Sequence, residues 1–255
     1  VQSGYSKFNK SFLEVNTEGI LTYSDQITES FSLTAFIGAN IRRNHQQTTL
    51  ASTNGGLIVP ELYALTNSVN PSLQPLETDW IFGTNSFFAS ASFGFFKNHS
   101  LYIDATIRND HSSTLPTENN SYWYPAFSGS WIFSTLIDAD WLAFGKLRAG
   151  YSEVGKATTP YRVDKTYIIN TAYAGNPLTS NPNTLNNNQI VPERTTSPEF
   201  GLDMQFFNEN RLGFSLTYYI TNSKNQIVPV QVSRATGFAS KILNAGEIEN
   251  KGWEL

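Results

Sequence analysis

The chain has 255 residues, of which 40% are hydrophobic, 14% aromatic and only 15% charged, with a net charge of −4 and no cysteine. Soluble domains carry about 25% charged residues; the acidic balance speaks against a nucleic-acid surface, and the missing cysteine excludes disulfides and thiolate metal sites. A membrane helix is excluded too: the longest uncharged apolar stretch, residues 80–96, is broken by Gly83, Thr84, Asn85, Ser86, Ser90, Ser92 and Gly94, and a spanning helix needs about 20 predominantly apolar residues.

What remains is an alternation of period two. It predicts strands at 9–23, 31–43, 78–96, 100–109, 123–134, 143–152, 198–207, 211–221 and 246–255. Tight turns fall near 25–29, 97–99, 137–140 and 208–210, and long polar loops near 44–76, 109–122, 152–197 and 222–244. Short and long connections take turns along the chain, which is how an outer-membrane barrel sorts its periplasmic turns from its extracellular loops. In the fourth strand Leu101, Ile103, Ala105 and Ile107 point one way and Tyr102, Asp104, Thr106 and Arg108 the other. The sixth sets Leu147, Ala149 and Tyr151 against Lys146 and Arg148. The seventh sets Phe200, Leu202, Met204 and Phe206 against Glu199, Gly201, Asp203 and Gln205, and the eighth Leu212, Phe214, Leu216, Tyr218 and Ile220 against Arg211, Gly213, Ser215, Thr217 and Tyr219.

Such an apolar face meets either a second sheet or lipid. Aromatic placement favours lipid: Tyr23, Phe31, Phe95, Phe96, Phe133, Trp141, Phe144, Phe206 and Phe207 all lie near a short turn, where a membrane interface selects amphipathic rings. Asp104, Arg108, Lys146, Arg148, Glu199, Asp203 and Arg211 are then expected on the polar face, because a charge facing lipid costs about 2–4 kcal/mol at the midplane. The fold class is therefore all-β, an antiparallel transmembrane β-barrel portion. An odd strand count running into both chain ends cannot close a barrel, and an open edge in hydrocarbon leaves unpaired backbone groups. We expect an internal piece of a longer protein that does not fold in isolation.

Chemistry-bearing patterns are sparse. His45, His99 and His111 stand apart from one another and from other metal ligands, with His99 expected to be exposed in its turn. No nucleophile-elbow pattern surrounds Ser112 and Ser113, so no enzyme activity, cofactor or metal is expected. The loop at 152–197 is more informative. From 166 to 192 it carries no charge, is rich in Asn, and Tyr161, Tyr167 and Tyr173 are interleaved along the loop. Asn and Tyr hold neutral polyhydroxylated ligands or peptide backbones through amide hydrogen bonds and ring stacking, and Asn also simply suits turns. Trp80, Tyr122 and Trp123 adjoin the long loops and complete the candidate substrate-binding set; Trp80 and Trp123 equally suit an aromatic girdle on the loop side.

A series of motifs follows in order. It runs Arg108-Asn-Asp110-His-Ser112-Ser113, Tyr124-Pro125 leading to Trp131, Lys146-Leu147-Arg148-Ala149-Gly150-Tyr151 with Val154-Gly155, and Pro192-Glu193. Then come Glu199-Phe-Gly201-Leu202-Asp203, Phe206-Phe207-Asn208 with Arg211-Leu212, Tyr218-Tyr219, Gly237-Phe238, and Asn244-Ala-Gly246-Glu-Ile248-Glu-Asn250-Lys251-Gly252-Trp-Glu254-Leu255. This set resembles the barrel of the SusC/RagA family of TonB-dependent outer-membrane transporters, from about Phe8 onward. The family commonly has Ser, Gly and Asn where Gly150, Ser152 and Lys156 stand. The resemblance implies a barrel of about 22 strands, with residues 1–255 part of one TonB-dependent receptor β-barrel domain and the plug and remaining strands outside this chain. It also implies the cell outer membrane as location, import of oligosaccharides or peptides, a SusD-like surface lipoprotein, TonB engaged through the absent N-terminal part, and lipid around the wall. The alternatives are a passive outer-membrane porin or adhesin barrel, and a soluble glycan-binding β-sandwich.

Overall fold

The computed structural model describes residues 3–137, 139–207 and 211–255. In chain order its strands are β1 (Ser6–Thr28), β2 (Phe31–Ser52), β3 (Asn54–Leu57), β4 (Ser68–Asn70), β5 (Leu76–Phe95), β6 (Leu101–Ser112), β7 (Ser121–Trp131), β8 (Leu142–Lys156), β9 (Ile168–Tyr173), β10 (Asn176–Ser180), β11 (Thr184–Leu185), β12 (Glu193–Phe206), β13 (Leu212–Lys224), β14 (Ile227–Gln231), β15 (Ser240–Asn244) and β16 (Glu247–Glu254). The long strands form one nine-stranded sheet in the order β1-β2-β5-β6-β7-β8-β12-β13-β16, each beside the next long strand of the sequence. The other strands pair within the long loops: β3 with β4, β9 with β10, and β11-β15-β14 as a small sheet. The chain divides into two compact units, residues 1–17 with 41–83 and residues 18–40 with 84–255.

In the first unit, cross-strand hydroxyl pairs such as Ser6 with Ser52 and Thr48 with Thr78 tie the strands together. The β3–β4 loop is fastened by Asn67, which accepts from the Val59 N–H at 3.0 Å and donates to the carbonyls of Val59 and Leu62, both at 2.8 Å. Sequence alternation ends β2 at residue 43, yet the strand runs to Ser52. Residues 42–49 are polar on both faces, so the period vanishes while the backbone stays extended. Only about 9–11 residues of a tilted strand fit the hydrocarbon; strands of 23, 22 and 20 residues in β1, β2 and β5 therefore continue where both faces meet water.

In the second unit the strand pairings from β5 to β16 are antiparallel and carry the two faces across the sheet. One row reads Phe93, Ile103, Gly129, Ala149, Phe200, Tyr218, Trp253; the row beside it on the opposite face reads Ser92, Asp104, Ser128, Gly150, Glu199, Tyr219, Gly252. The apolar row is open rather than buried: Ile103 is 44% exposed, Phe200 60% and Trp253 69%. None of the buried apolar residues belongs to it, so these side chains are not the inner layer of a sandwich. The aromatic residues beside the short turns do form ring clusters, Phe31 with Phe95 at 5.4 Å and Phe206 with both Trp141 and Phe214 at 6.2 and 6.0 Å.

The connections refine the expected turns. β1 and β2 are joined by residues 29–30 alone, so the strand continues through residues 25–28 and the turn falls at the end of the segment predicted for it. Between β5 and β6 the turn closes with the His99 N–H donating to the Phe96 carbonyl at 3.0 Å. His99 itself, expected to be exposed, is half-buried beside Tyr102, ring centroids 6.3 Å apart. The connection from β7 to β8 spans 132–141 and includes a 3-10 turn at Phe133–Leu136, longer than the tight turn expected at 137–140. The turn predicted at 208–210 lies outside the described residues.

Candidate functional site

The polar face of the second unit is a lattice of paired charges. Arg148 on β8 grips Asp203 on β12 with two hydrogen bonds, Nε to Oδ2 at 2.8 Å and Nη2 to Oδ1 at 3.1 Å, and reaches on to Ser215 and Thr217 of β13 at 3.4 and 3.2 Å. Gly201 makes that reach possible: a Cβ there would lie 2.8 Å from the guanidinium carbon, so any side chain would lift the Arg off the sheet. A second node centres on Arg108, whose Nε donates to Asp110 at 2.7 Å and whose Nη2 donates to the buried Ser86 hydroxyl at 2.9 Å. Its guanidinium also lies 5.7 Å from the Phe88 ring centre, and the Tyr124 hydroxyl donates to Asp110 at 3.3 Å. These charge-assisted pairs, bidentate at Arg148, hold their geometry and leave a hydrophilic wall of fixed charge. That arrangement suits the passage or seating of a polar solute.

Towards the long loops the sheet splits. The β7–β8 register ends at Ala126 opposite Ser152, while β7 stays paired with β6 as far as Ser121 and β8 with β12 as far as Lys156. Pro125 sits at the split; with no N–H it cannot extend a central ladder. The Tyr122 and Tyr124 rings, 4.9 Å apart and edge to face, fill the gap over Gly155, where a Cβ would come within 2.5 Å of Tyr124. A cleft of about 430 Å³ opens here, lined among others by Ser121, Tyr122, Tyr124, Glu193, Arg194 and Asn225. Its charges are neutralised in pairs: Arg194 with the buried Glu153, and Lys156 with Glu193 at 3.3 Å. Glu193 also accepts the Ile227 N–H at 2.9 Å, joining the strand end to the last long loop.

The loops above this cleft have a small dry core of Leu115, Ile190, Ile227 and Ile242, against which Tyr122 and Val163 pack. Several Asn side chains serve this architecture. Asn244 accepts from the Val191 N–H at 2.9 Å and returns a hydrogen bond to the Val191 carbonyl at 2.7 Å. Asn186 donates to the Tyr161 and Asp164 carbonyls, and the Asn187 side-chain oxygen accepts from the Gln189 N–H at 3.0 Å. The β9–β10 hairpin is different. It turns at Ala174 and Gly175, whose φ values of 48° and 80° fit a two-residue type I′ turn, and every residue of both strands is exposed.

The six sequence-predicted aromatic residues separate into distinct environments. Tyr167 precedes β9 and Tyr173 ends it on the exposed hairpin, 66% and 76% accessible, and Tyr161 is exposed earlier in the same loop. Tyr122 lines the rim cleft. Trp123, beside it, also borders that cleft; it pairs with Asn109, is 57% exposed and walls an apolar groove as well. Trp80 is half-buried on β5, in the first unit. Sequence reading missed Tyr124, Glu153 and Arg194 at the rim; the Glu193-Arg194 charge pair opening a strand was the available signal. His45, which stands alone in the sequence, meets Asp79 at 2.7 Å across the β2–β5 ladder, and Gln47 donates to the same carboxylate at 3.2 Å. These two bonds, Gln47 first, hold the Asp79 carboxyl below the usual carboxylate range. Among the described residues no group of three or more His, Asp or Glu could hold a metal ion.

A single antiparallel meander with one open apolar face, one charged face and loops sorted by length is the wall of a transmembrane β-barrel. Residues 2–255 match the family described as TonB dependent receptor-like, beta-barrel, and the chain belongs to that family. It is 28% identical over 274 residues to TonB-dependent receptor P26 of Formosa agariphila, covering 97% of this chain and 26% of that protein. It is 25% identical over 261 residues to TonB-dependent receptor P3 of the same organism, covering 100% and 24%. Among solved structures it is similar to a chain of the RagAB peptide importer in the closed-closed state, with TM-score 0.79 and 25% identity over 97% of this chain and 28% of that one. The open-open state of the same importer gives TM-score 0.77 at 25% identity. The SusC/RagA-like character of the motifs is thereby shown, and the chain spans about a quarter of the length of the relatives it matches.

Proposed function

We propose that residues 1–255 are part of one β-barrel domain of an outer-membrane importer of peptides or oligosaccharides, supplying barrel wall and extracellular loops. The observation that carries this reading is the likeness to the RagAB peptide importer along 97% of the chain, and it favours peptides as cargo. A plug contributed by the rest of the protein gates passage and engages TonB, and a SusD-like lipoprotein caps the loops. The wall contributes fixed charge, held in pairs such as Arg148 with Asp203 and Arg108 with Asp110. Cargo meets the exposed hairpin and the aromatic rim cleft first, and Tyr167, Tyr173 and Tyr122 make contacts with it, with Tyr161 beside them.

Uptake of labelled oligopeptides by cells carrying or lacking the full-length protein tests the reading. Uptake that requires both the protein and TonB supports it; uptake undiminished without TonB overturns it in favour of a passive pore. In the intact complex, replacing Tyr167 and Tyr173 together with Ala should weaken peptide binding at least about fivefold, since truncating an anchoring interface aromatic costs more than about 1 kcal/mol. Unchanged affinity removes the hairpin from the binding surface.

A further inference from the structure

We propose that a groove on the apolar face seats one acyl chain of a phospholipid from the leaflet beside the short turns. The inference rests on reading that face as lipid-facing. In the middle of the sheet two small residues, Gly129 on β7 and Ala149 on β8, stand directly opposite each other in a row otherwise made of Phe, Ile, Tyr and Trp. The dip they leave is walled by Trp131, Leu147, Phe200 and Tyr218, and its volume is about 470 Å³. These walls are preformed by the strand register, and no side chain fills the space between them.

Position and chemistry commit the occupant. Inside a bilayer the hydrophobic effect does not distinguish one apolar contact from another, so retention depends on close packing. A groove between rigid rings offers a chain more contact than mobile neighbouring tails do. Leu101 opens β6 beside the turn at 96–100 and Trp131 closes β7 on the same side, where residues 132–141 lead on to β8, while Phe200 lies six residues before Phe206, where β12 ends. The groove therefore occupies the half of the apolar band next to the short turns, and short turns face the periplasm. The leaflet there is built of phospholipid. A second apolar groove of about 560 Å³, with Phe87, Ala89, Ile107 and Trp123 among its walls, lies nearer the long loops and serves as an internal control.

The full-length protein, extracted in a mild detergent and washed, is examined by native mass spectrometry for retained lipid. The wild type is expected to keep one phospholipid. Gly129→Ile fills the groove from its floor, and a Cβ there meets nothing nearer than the Tyr102 carbonyl oxygen at 3.9 Å, so the strand accepts it. This variant should lose the phospholipid at least about tenfold faster, because its walls are no longer available for contact. Ala89→Ile in the control groove should leave retention unchanged, and heat-modifiable gel migration verifies that each barrel is folded. A folded Gly129→Ile protein that retains phospholipid like the wild type overturns the proposal. So does a wild type that keeps none, or keeps only lipopolysaccharide. Failure of the protein to fractionate with membranes would instead break the lipid-facing reading itself.

Discussion

The sheet and the loops of the second unit solve opposite problems. On the sheet, Ile103, Leu147 and Phe200 are 44%, 44% and 60% exposed, and the strands are held by backbone ladders. In the loops, Ile190 is fully buried and Leu115 and Ile242 nearly so, with Asn244 and Glu193 stitching backbone groups together. The loop core is ordinary soluble-protein architecture in miniature, while the wall is complete only with hydrocarbon against it. One chain thus contains two solvents' worth of design, and the boundary lies where β8 and β12 carry Glu153, Lys156, Glu193 and Arg194.

Three changes break or sharpen that contrast. Ile190→Ala should have the largest effect, costing about 2–5 kcal/mol of local stability through the cavity it leaves. Hydrogen exchange should then rise in the amides of 184–192 and 225–246 while heat-modifiable migration of the barrel stays normal; loss of the barrel itself would show that loops and wall are one cooperative unit. Leu202→Lys should cost about 2–4 kcal/mol of stability in bilayers by placing a charge on the lipid face, read from denaturant unfolding of the vesicle-inserted protein. Ser128→Lys, on the opposite face beside Asp104, should be near neutral. Equal costs at the two positions would abolish the distinction between faces.

The smallest effect is one of pH, on the stretch of β5 outside the apolar band. Asp79 is held below the usual carboxylate range by Gln47 and His45, so its contribution is present above that range and fades as pH falls through the lowered value. Amide protection around residues 45–48 and 77–80 should be constant down to ordinary carboxylate titration and decline only beneath it. Asp79→Asn should remove that dependence. A decline in the variant identical to the wild type's assigns it to another group.

The legible part of this protein is its periodicity. All nine long strands sit where the alternation placed them, and the polar residues Asp104, Arg108, Arg148 and Asp203 share the face expected of them. Alternation failed at the strand extensions such as residues 44–52, because with water on both sides nothing selects a pattern. The candidate site was legible only as composition. Tyr167 and Tyr173 lie on an exposed hairpin, Tyr122 and Trp123 both border the rim cleft, Trp123 walls an apolar groove as well, and loop Asn side chains such as Asn186 and Asn244 hold the loops together.

By itself the amino-acid order determined which side chains face which way, since period two needs only the local backbone and a single apolar solvent. It also carried the family's motifs. Tertiary structure alone decided the pairings between distant residues: Arg148 with Asp203, His45 with Asp79, and Asn244 with Val191. It likewise decided the split at Pro125 and the groove over Gly129 and Ala149. The reason is register. Which residue stands opposite which depends on the length of every turn between them, and no window of sequence contains that sum.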